Sequence, residues 1–137
     1  MTDCLFCKIV EGEIPSLKIA ESTNLLAFLD INPSSDGHTL IVPKKHSTNL
    51  LDLPEYSGNE LLEFSQRVGN AVIAATGAEG FNFVLNNGPA AGQVVFHTHF
   101  HIIPRRPGDG IVRYEHKGDS SKEHLEQVRQ GIIEKLS

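Results

Sequence analysis

The spacing of apolar residues divides the chain into segments typical of strands and segments typical of helices. Residues 17–22, 24–30 and 38–44 have the apolar content of short strands, and turn-forming residues separate the first two. Residues 80–88 alternate and end in an Asn-Gly turn signal, and residues 97–103 alternate strictly. We therefore predict about five strands, most of them joined by short turns.

Helical spacing is found in three other segments. Residues 5–12 are typical of a short helix that ends at Gly12, and residues 121–136 of a C-terminal helix. Residues 59–75 have the clearest pattern, with Gly77 available as a C-terminal cap. These elements predict a single α+β domain over residues 1–137, with an antiparallel sheet and two main helices. Apolar residues lie on more than one side of the 59–75 helix: Leu61, Leu62, Phe64, Val68, Val72 and Ile73.

The charge balance narrows the class of partner. The formal net charge is -5, and the basic pairs Lys44-Lys45 and Arg105-Arg106 are too short to form a nucleic-acid-binding stripe. No apolar run approaches the roughly 20 residues that span a bilayer, and no signal-peptide pattern opens the sequence. We expect a cytoplasmic protein with a small-molecule partner and with neither a nucleic-acid nor a membrane partner.

Three of the seven histidines stand at alternate positions, His97, His99 and His101. On a strand they would leave one face, with neighbours about 7 Å apart. Such a row is a polar strand face, a metal centre or a nucleophilic site. The chain is too short for a barrel metallohydrolase, and the 59–75 helix argues against an all-β cupin. A neutral imidazole attacks phosphorus readily near pH 7, so nucleophilic catalysis is the favoured interpretation.

The two cysteines, Cys4 and Cys7, are three residues apart. A disulfide between them would close too small a loop to stabilise much, and a reducing compartment disfavours it. A redox pair of the thioredoxin type needs a preceding strand, and the sequence predicts none here. Metal binding and two unreactive thiols remain as the alternatives.

Two motifs in order give the chain a specific resemblance. Residues 92–103, GQVVFHTHFHII, match the His-x-His-x-His-x-x signature of the histidine triad (HIT) superfamily, and residues 26–46 resemble its N-terminal half. The resemblance runs from about Cys4 to Arg106, and no motif is assigned beyond it. It implies the HIT fold, a homodimer and a purine nucleotide substrate.

The resemblance also implies a catalytic mechanism. His99 would attack the α-phosphorus to give a nucleotidyl-histidine that water then cleaves, which replaces one difficult hydrolysis by two displacements. His101 would contact the phosphate. Asn86 and Gln93 would be further donors, together with the backbone amides of the loop that contains Gly92.

Nucleoside contacts follow from the same resemblance. Asp30 matches the residue that accepts hydrogen bonds from the ribose hydroxyls, with Ile31 beside it. Phe6 and Leu29 are candidates for packing on the base, although ordinary core packing would explain them equally well.

Some HIT proteins bind zinc with an N-terminal Cys-x-x-Cys, a later histidine and the first triad histidine. In this chain those residues are Cys4, Cys7, His46 and His97. Two thiolates and two imidazoles suit a closed, structural zinc site. The three triad histidines would then have different roles: His97 would hold the metal, His99 would attack phosphorus and His101 would bind phosphate. His38 is expected to be a hydrogen-bonding neighbour of the triad.

The substrate class stays open between adenosine phosphoramidates and dinucleoside polyphosphates. Many HIT hydrolases have Ser or Thr where this chain has Val94, and valine cannot donate a proton to a departing amine. Val94 taken alone therefore predicts a preference for phosphoanhydrides. The alternative is a nucleotide-binding interaction module with only residual catalysis, which would bind nucleotide without turnover.

Overall fold

A five-stranded antiparallel sheet forms the centre of the computed structural model, which describes residues 3–55, 57–111 and 119–136. The strands pair in the order β1–β2–β3–β5–β4, with every neighbouring pair antiparallel. The predicted α+β class is confirmed. The strands are β1 (Lys18–Glu21), β2 (Leu25–Leu29), β3 (Thr39–Pro43), β4 (Gly80–Leu85) and β5 (Phe100–Arg105), and the helices are α1 (Leu5–Val10), α2 (Ser57–Thr76) and α3 (Lys122–Lys135).

Strands β2 and β3 are buried on both faces, which explains why their sequences are continuous apolar runs instead of alternating ones. One face packs against α2, whose Phe64, Val68 and Val72 recur every four residues and meet Leu25 and Ile41. The opposite face packs against α1, whose Phe6 meets Leu26, Phe28, Leu40 and Val42. The sheet is thus the middle layer between a long helix and a short one.

The two main predicted helices are present. Helix α2 begins two residues before its predicted start and ends at Thr76, where Gly77 has a φ of 68° and donates its amide to Ile73. Helix α3 follows the N-cap Ser121, and all of its residues are exposed. None of the described helices is long and apolar enough to cross a membrane.

The alternation of residues 97–103 predicted a regular strand from His97 onward. The structure differs, because only the later part of this segment is a strand. Strand β5 begins only at Phe100, so that His97 and His99 precede it. The Thr98 amide donates to the carbonyl of Ser47, and the two hydroxyl groups lie 2.7 Å apart. Ser47 lies beyond the end of β3, so the histidine segment pairs there with an irregular stretch of chain instead of a strand.

The loop between β2 and β3 packs tightly against α2, which gives a stability prediction. Gly37 has a φ of 88°, and a Cβ atom there would lie 2.7 Å from Cγ2 of Thr76. Gly12 has a φ of 80° but nothing within 4 Å. Gly12→Ala should therefore cost only the backbone strain of about 1 kcal/mol, and Gly37→Ala about 2–3 kcal/mol because the clash adds to the strain. Urea unfolding measures both, and equal losses would contradict the packing described.

Candidate active site and metal centre

A cleft of about 390 Å³ lies between α1, the end of β2 and the histidine segment. Apolar side chains form most of its wall, and its polar side chains are those of Ser16, Asp30, Asn32, His99 and His101. Its volume falls in the usual range for small-molecule sites. None of the described residues that line it is Lys or Arg.

His99 is buried in this cleft, and a backbone carbonyl fixes its tautomer. Its Nδ1 lies 2.7 Å from the carbonyl oxygen of His97. A carbonyl only accepts, so Nδ1 carries the proton and Nε2 has a free lone pair. This is the form that a nucleophilic imidazole requires.

A backbone amide fixes the tautomer of His38 in the opposite sense. The amide of Ser34 donates to Nδ1 of His38 at 3.0 Å, so the proton of the neutral ring is on Nε2. That Nε2 lies 2.9 Å from Nδ1 of His101 and donates to it. His101 therefore carries its own proton on Nε2.

The Nε2–H group of His101 is a buried donor with no hydrogen-bond partner among the described residues. Burial, together with the neighbouring His99 and His38, lowers the pKa of His101 to about 4. Burial also lowers the pKa of His38, against an opposing effect from Asp30. Both rings are thus neutral near pH 7, and His101 offers one N–H donor beside the His99 ring, whose centroid is 5.0 Å away.

Asp30 lies directly after β2 at the wall of the cleft. Its Oδ1 accepts from the amide of Asn32 at 2.8 Å, and its Oδ2 is 3.6 Å from Nε2 of His38. The second oxygen keeps lone pairs for a further donor. This is the chemistry required of the predicted ribose-binding residue.

The four predicted metal ligands converge at one point. His97 Nδ1 lies 3.2 Å from Cys4 Sγ, 3.4 Å from Cys7 Sγ and 3.2 Å from His46 Nδ1. The single lone pair of His97 Nδ1 cannot accept hydrogen bonds from all three neighbouring atoms at once. Four ligand atoms that bind one metal ion, however, lie at such short distances from one another. In a tetrahedral zinc site the N···N edge is about 3.3 Å and the S···N edge about 3.6 Å. The cluster is close to these values.

The tautomer of His97 also suits a metal. Its Nε2 lies 2.8 Å from the carbonyl of Pro43 and so carries the proton, which leaves the Nδ1 lone pair directed into the cluster. A second cluster, Asp30, His38 and His101, has similarly close ligand atoms. There the Ser34 amide holds the proton of His38 on Nε2, the atom that would have to ligate. The structure therefore favours a metal at the cysteine cluster and opposes one at the second.

Several predicted nucleotide contacts lie elsewhere than expected. Gln93 is 3% exposed; its Oε1 accepts from Gly88, and its Nε2 donates to the carbonyls of Thr48 and Val95. These bonds hold its own loop together, so that its amide is not available to a phosphate here. Asn86 and Gly92 lie close to each other, and Gly92 has a φ of 92° that favours glycine. Neither they nor Gln93 are among the residues that line the cleft.

Other predicted contacts do line the cleft. Phe6, Leu29, Ile31 and Val94 are all part of its wall. Ile31 and Val94 are 81% and 84% exposed, which places apolar groups at the rim. Sequence reasoning missed the other wall residues, among them Leu5, Ile9, Phe28 and Leu40. The signal for the first two was the i, i+4 spacing on α1, which carries them on one face with Phe6.

The chain belongs to the HIT family, because the family's HIT domain model matches residues 11–108. Among its relatives is adenylylsulfatase HINT3 of Arabidopsis thaliana, 49% identical over 107 residues, which are 78% of this chain and 54% of that protein. The adenosine 5′-monophosphoramidase hnt1 of Schizosaccharomyces pombe is 46% identical over 102 residues, 74% of each chain. The resemblance predicted from the two motifs is confirmed.

Crystal structures of family members share the fold. A HIT family protein from Bacillus subtilis is 37% identical and superposes with a TM-score of 0.88 over 99% of both chains. A Zn-bound histidine triad family protein from Mycobacterium smegmatis is 36% identical, with a TM-score of 0.74 over 98% of this chain and 95% of that one.

The hydrogen bond from His38 to His101 leads to a prediction about positioning. His38→Leu removes the donor, so His101 can carry its proton on either nitrogen, and we expect the rate constant of the chemical step to fall about 10-fold or more. His38→Gln restores an N–H near the same place and should recover most of that loss. Single-turnover rates with an adenosine phosphoramidate are the measurement. Equal rates for the Leu and Gln variants would show that His38 acts only by filling space.

Proposed function

We propose that this protein hydrolyses adenosine nucleotides substituted on the α-phosphate, through a covalent adenylyl intermediate on His99. One observation carries the proposal: a buried imidazole with a free Nε2 lone pair stands beside a buried, unpartnered N–H of His101 in the same cleft. An unpartnered buried donor costs about 1–3 kcal/mol, and a phosphate oxygen would supply the missing acceptor. The names of two relatives, an adenylylsulfatase and an adenosine 5′-monophosphoramidase, support the same reaction class.

The reaction takes place in two displacements. Nε2 of His99 forms a bond to the α-phosphorus while the bond to the leaving group breaks with its electron pair. The leaving group then takes a proton from solvent. The adenylated ring keeps its proton on Nδ1 and is cationic, so the bond to the His97 carbonyl stabilises it. Water next attacks phosphorus and loses a proton to solvent while the P–Nε2 bond breaks with its electron pair, so AMP leaves and Nε2 of His99 regains its lone pair.

The charge of the cleft favours a small leaving group over a polyphosphate. A dinucleoside polyphosphate adds several negative charges near Asp30, while none of the described Lys and Arg residues lines the cleft. Each close like-charge pair costs on the order of 1 kcal/mol or more at a partly exposed site. The hydroxyl that Val94 lacks is worth about 1 kcal/mol. We therefore infer that charge outweighs the effect of Val94 and that phosphoramidates or similar AMP conjugates are the substrates.

We also propose that the cluster of Cys4, Cys7, His46 and His97 holds a structural zinc ion. The convergence of the four ligand atoms and the tautomer of His97 support this, and one of the structural relatives is Zn-bound. Four protein ligands leave no coordination position for substrate, so the ion would stabilise α1 and the histidine segment. His97 would serve the site as a metal ligand and through its carbonyl group.

A homodimer is the third part of the proposal. Strand β4 lies at the edge of the sheet, with Phe81 and Phe83 47% and 45% exposed. An exposed apolar edge strand can pair with a strand of another chain, and a second copy of this chain related by a two-fold axis would cover it. The exposed Leu62 of α2 and the exposed apolar side of α3 add to the surface available for burial.

The covalent step gives the central functional prediction. His99→Asn should lower turnover of an adenosine phosphoramidate by several orders of magnitude and leave AMP affinity within a few-fold, because only the nucleophile is lost. Mass spectrometry after rapid quench should find adenylate on His99 in the parent. Tight AMP binding without turnover or adduct in the parent would instead support the interaction module.

The charge argument predicts the order of substrates. The parent should have a higher kcat/KM for an adenosine phosphoramidate than for a dinucleoside polyphosphate. Val94→Lys should raise kcat/KM for the polyphosphate about 10-fold by adding a cation at the rim, whereas the uncharged Val94→Met should not. A parent that prefers the polyphosphate would refute the argument.

The proposed dimer predicts the mass in solution. The monomer has a mass of 15.0 kDa, and sedimentation at micromolar concentration should give twice that value. Phe81→Lys places a charge on the edge strand and should shift the equilibrium to monomer, whereas Glu13→Lys, in the exposed stretch after α1, should not. A strict monomer for the parent would rule the dimer out.

A further inference from the structure

Helix α1 connects the metal centre to the cleft. Cys4 is its N-cap and Cys7 lies within it, so both cysteines of the cluster belong to this one short helix. Phe6 stands between them in sequence and is buried, and its side chain lines the cleft. A helix of six residues has little stability of its own, so its position depends on what holds its ends.

The ring of Phe6 meets two triad histidines edge-to-face. Its centroid is 6.0 Å from that of His97 with an interplanar angle of 75°, and 5.1 Å from that of His99 with an angle of 83°. Perpendicular contacts at these distances are the favoured aromatic geometry. Phe6 therefore contacts both His97, one of the two histidines of the cysteine cluster, and His99, whose Nε2 has the free lone pair.

His99 needs this contact because one hydrogen bond does not fix a ring. The bond from Nδ1 to the carbonyl of His97 fixes one atom, and the ring can still tilt about it. Phe6 and His101 are both in contact with the ring, with centroids 5.1 Å and 5.0 Å away. The direction of the Nε2 lone pair is thus set by the carbonyl of His97 together with its ring neighbours.

We propose that Phe6 is a positioning residue for His99 and that the metal cluster sets the position of Phe6 through α1. His97 provides a second path, since its ring belongs to the cluster and its carbonyl holds His99. Metal occupancy then controls the orientation of the nucleophile as well as the stability of the fold. The activity readouts of this proposal rest on the proposed function, whereas its spectroscopic readout does not.

The role of Phe6 as a contact for the base, suggested by the family resemblance, makes a different prediction. Loss of a base contact raises KM, whereas loss of nucleophile positioning lowers the rate of adenylation at saturating substrate. A misplaced nucleophile commonly costs 10- to 100-fold in rate. The division of the effect between KM and the chemical step therefore separates the two roles.

The test compares Phe6→Leu, Cys7→Ser and the double variant with the parent and with Leu26→Val. Leu26 belongs to the same core cluster as Phe6 but does not line the cleft, so it controls for lost packing. Each protein is assayed for zinc by elemental analysis, for thermal stability, for the single-turnover rate of His99 adenylation, and for the His99 ring signals in long-range ¹H–¹⁵N spectra without nucleotide.

Phe6→Leu should keep its zinc, match Leu26→Val in stability, lose at least 10-fold in adenylation with a smaller change in KM, and show broadened His99 ring signals. Cys7→Ser should lose zinc and show the same broadening. The double variant should be no slower than Cys7→Ser alone, because both substitutions disturb the same arrangement, the packing of Phe6 against His99.

The proposal is overturned if Phe6→Leu adenylates like Leu26→Val, if its whole effect falls on KM, or if the losses in the double variant multiply. A parent that never adenylates His99 refutes the proposed function instead. In that case the His99 signals still decide this inference, since unchanged signals in both Phe6→Leu and Cys7→Ser would overturn it.

Discussion

The tautomers of three histidines, His38, His97 and His99, are decided by the backbone group that each ring meets. The carbonyls of Pro43 and His97 accept from Nε2 of His97 and from Nδ1 of His99, and the Ser34 amide donates to Nδ1 of His38. Each bond fixes which nitrogen keeps the proton. Identical side chains in one small region thereby present a lone pair on Nδ1 at the cysteine cluster, a lone pair on Nε2 in the cleft, and an N–H donor to His101. The carbonyl of Pro43 lies at the end of β3, whereas the irregular chain before β5 and between β2 and β3 places the His97 carbonyl and the Ser34 amide.

The position of the proton on each histidine ring has a large effect because the cleft is mostly apolar. Burial keeps His101 and His38 neutral near pH 7, so the two rings present the cleft with an N–H dipole of His101 instead of a full charge. Such dipoles act strongly where water is excluded, and they need little rearrangement during the reaction. The absence of Lys and Arg from the described wall limits how much negative charge the cleft can accept. The substrate proposed above, a nucleotide with one charged phosphate, would fit this charge balance better than a polyphosphate.

Much of the fold was predictable from local pattern. The apolar runs of β2 and β3, the stripe on α2 and the glycine after Thr76 each have a direct physical meaning, and the observed elements follow them. The resemblance also implied that the cysteine pair meets His46 and His97 and that His38 is a neighbour of the triad, where the structure gives it His101 as a partner. These contacts follow from motif positions that the fold brings together.

Other features depend on tertiary contacts that no residue spacing reports. Alternation predicted a strand from His97, but Thr98 pairs with Ser47, which lies beyond β3, so regular structure starts only at Phe100. Gln93 was expected at a phosphate, yet its amide is used within its own loop. The carbonyl of Pro43 and the amide of Ser34 have no signature in the sequence, because any residue supplies such groups.

The most direct test of the account is a long-range ¹H–¹⁵N spectrum of the parent protein at neutral pH, which reports the protonated nitrogen of each histidine. The account predicts a proton on Nδ1 for His99, and on Nε2 for His38, His97 and His101. A His99 ring protonated on Nε2 would have its lone pair on Nδ1, next to the His97 carbonyl, and none on Nε2 to attack phosphorus, which would contradict the account at its centre.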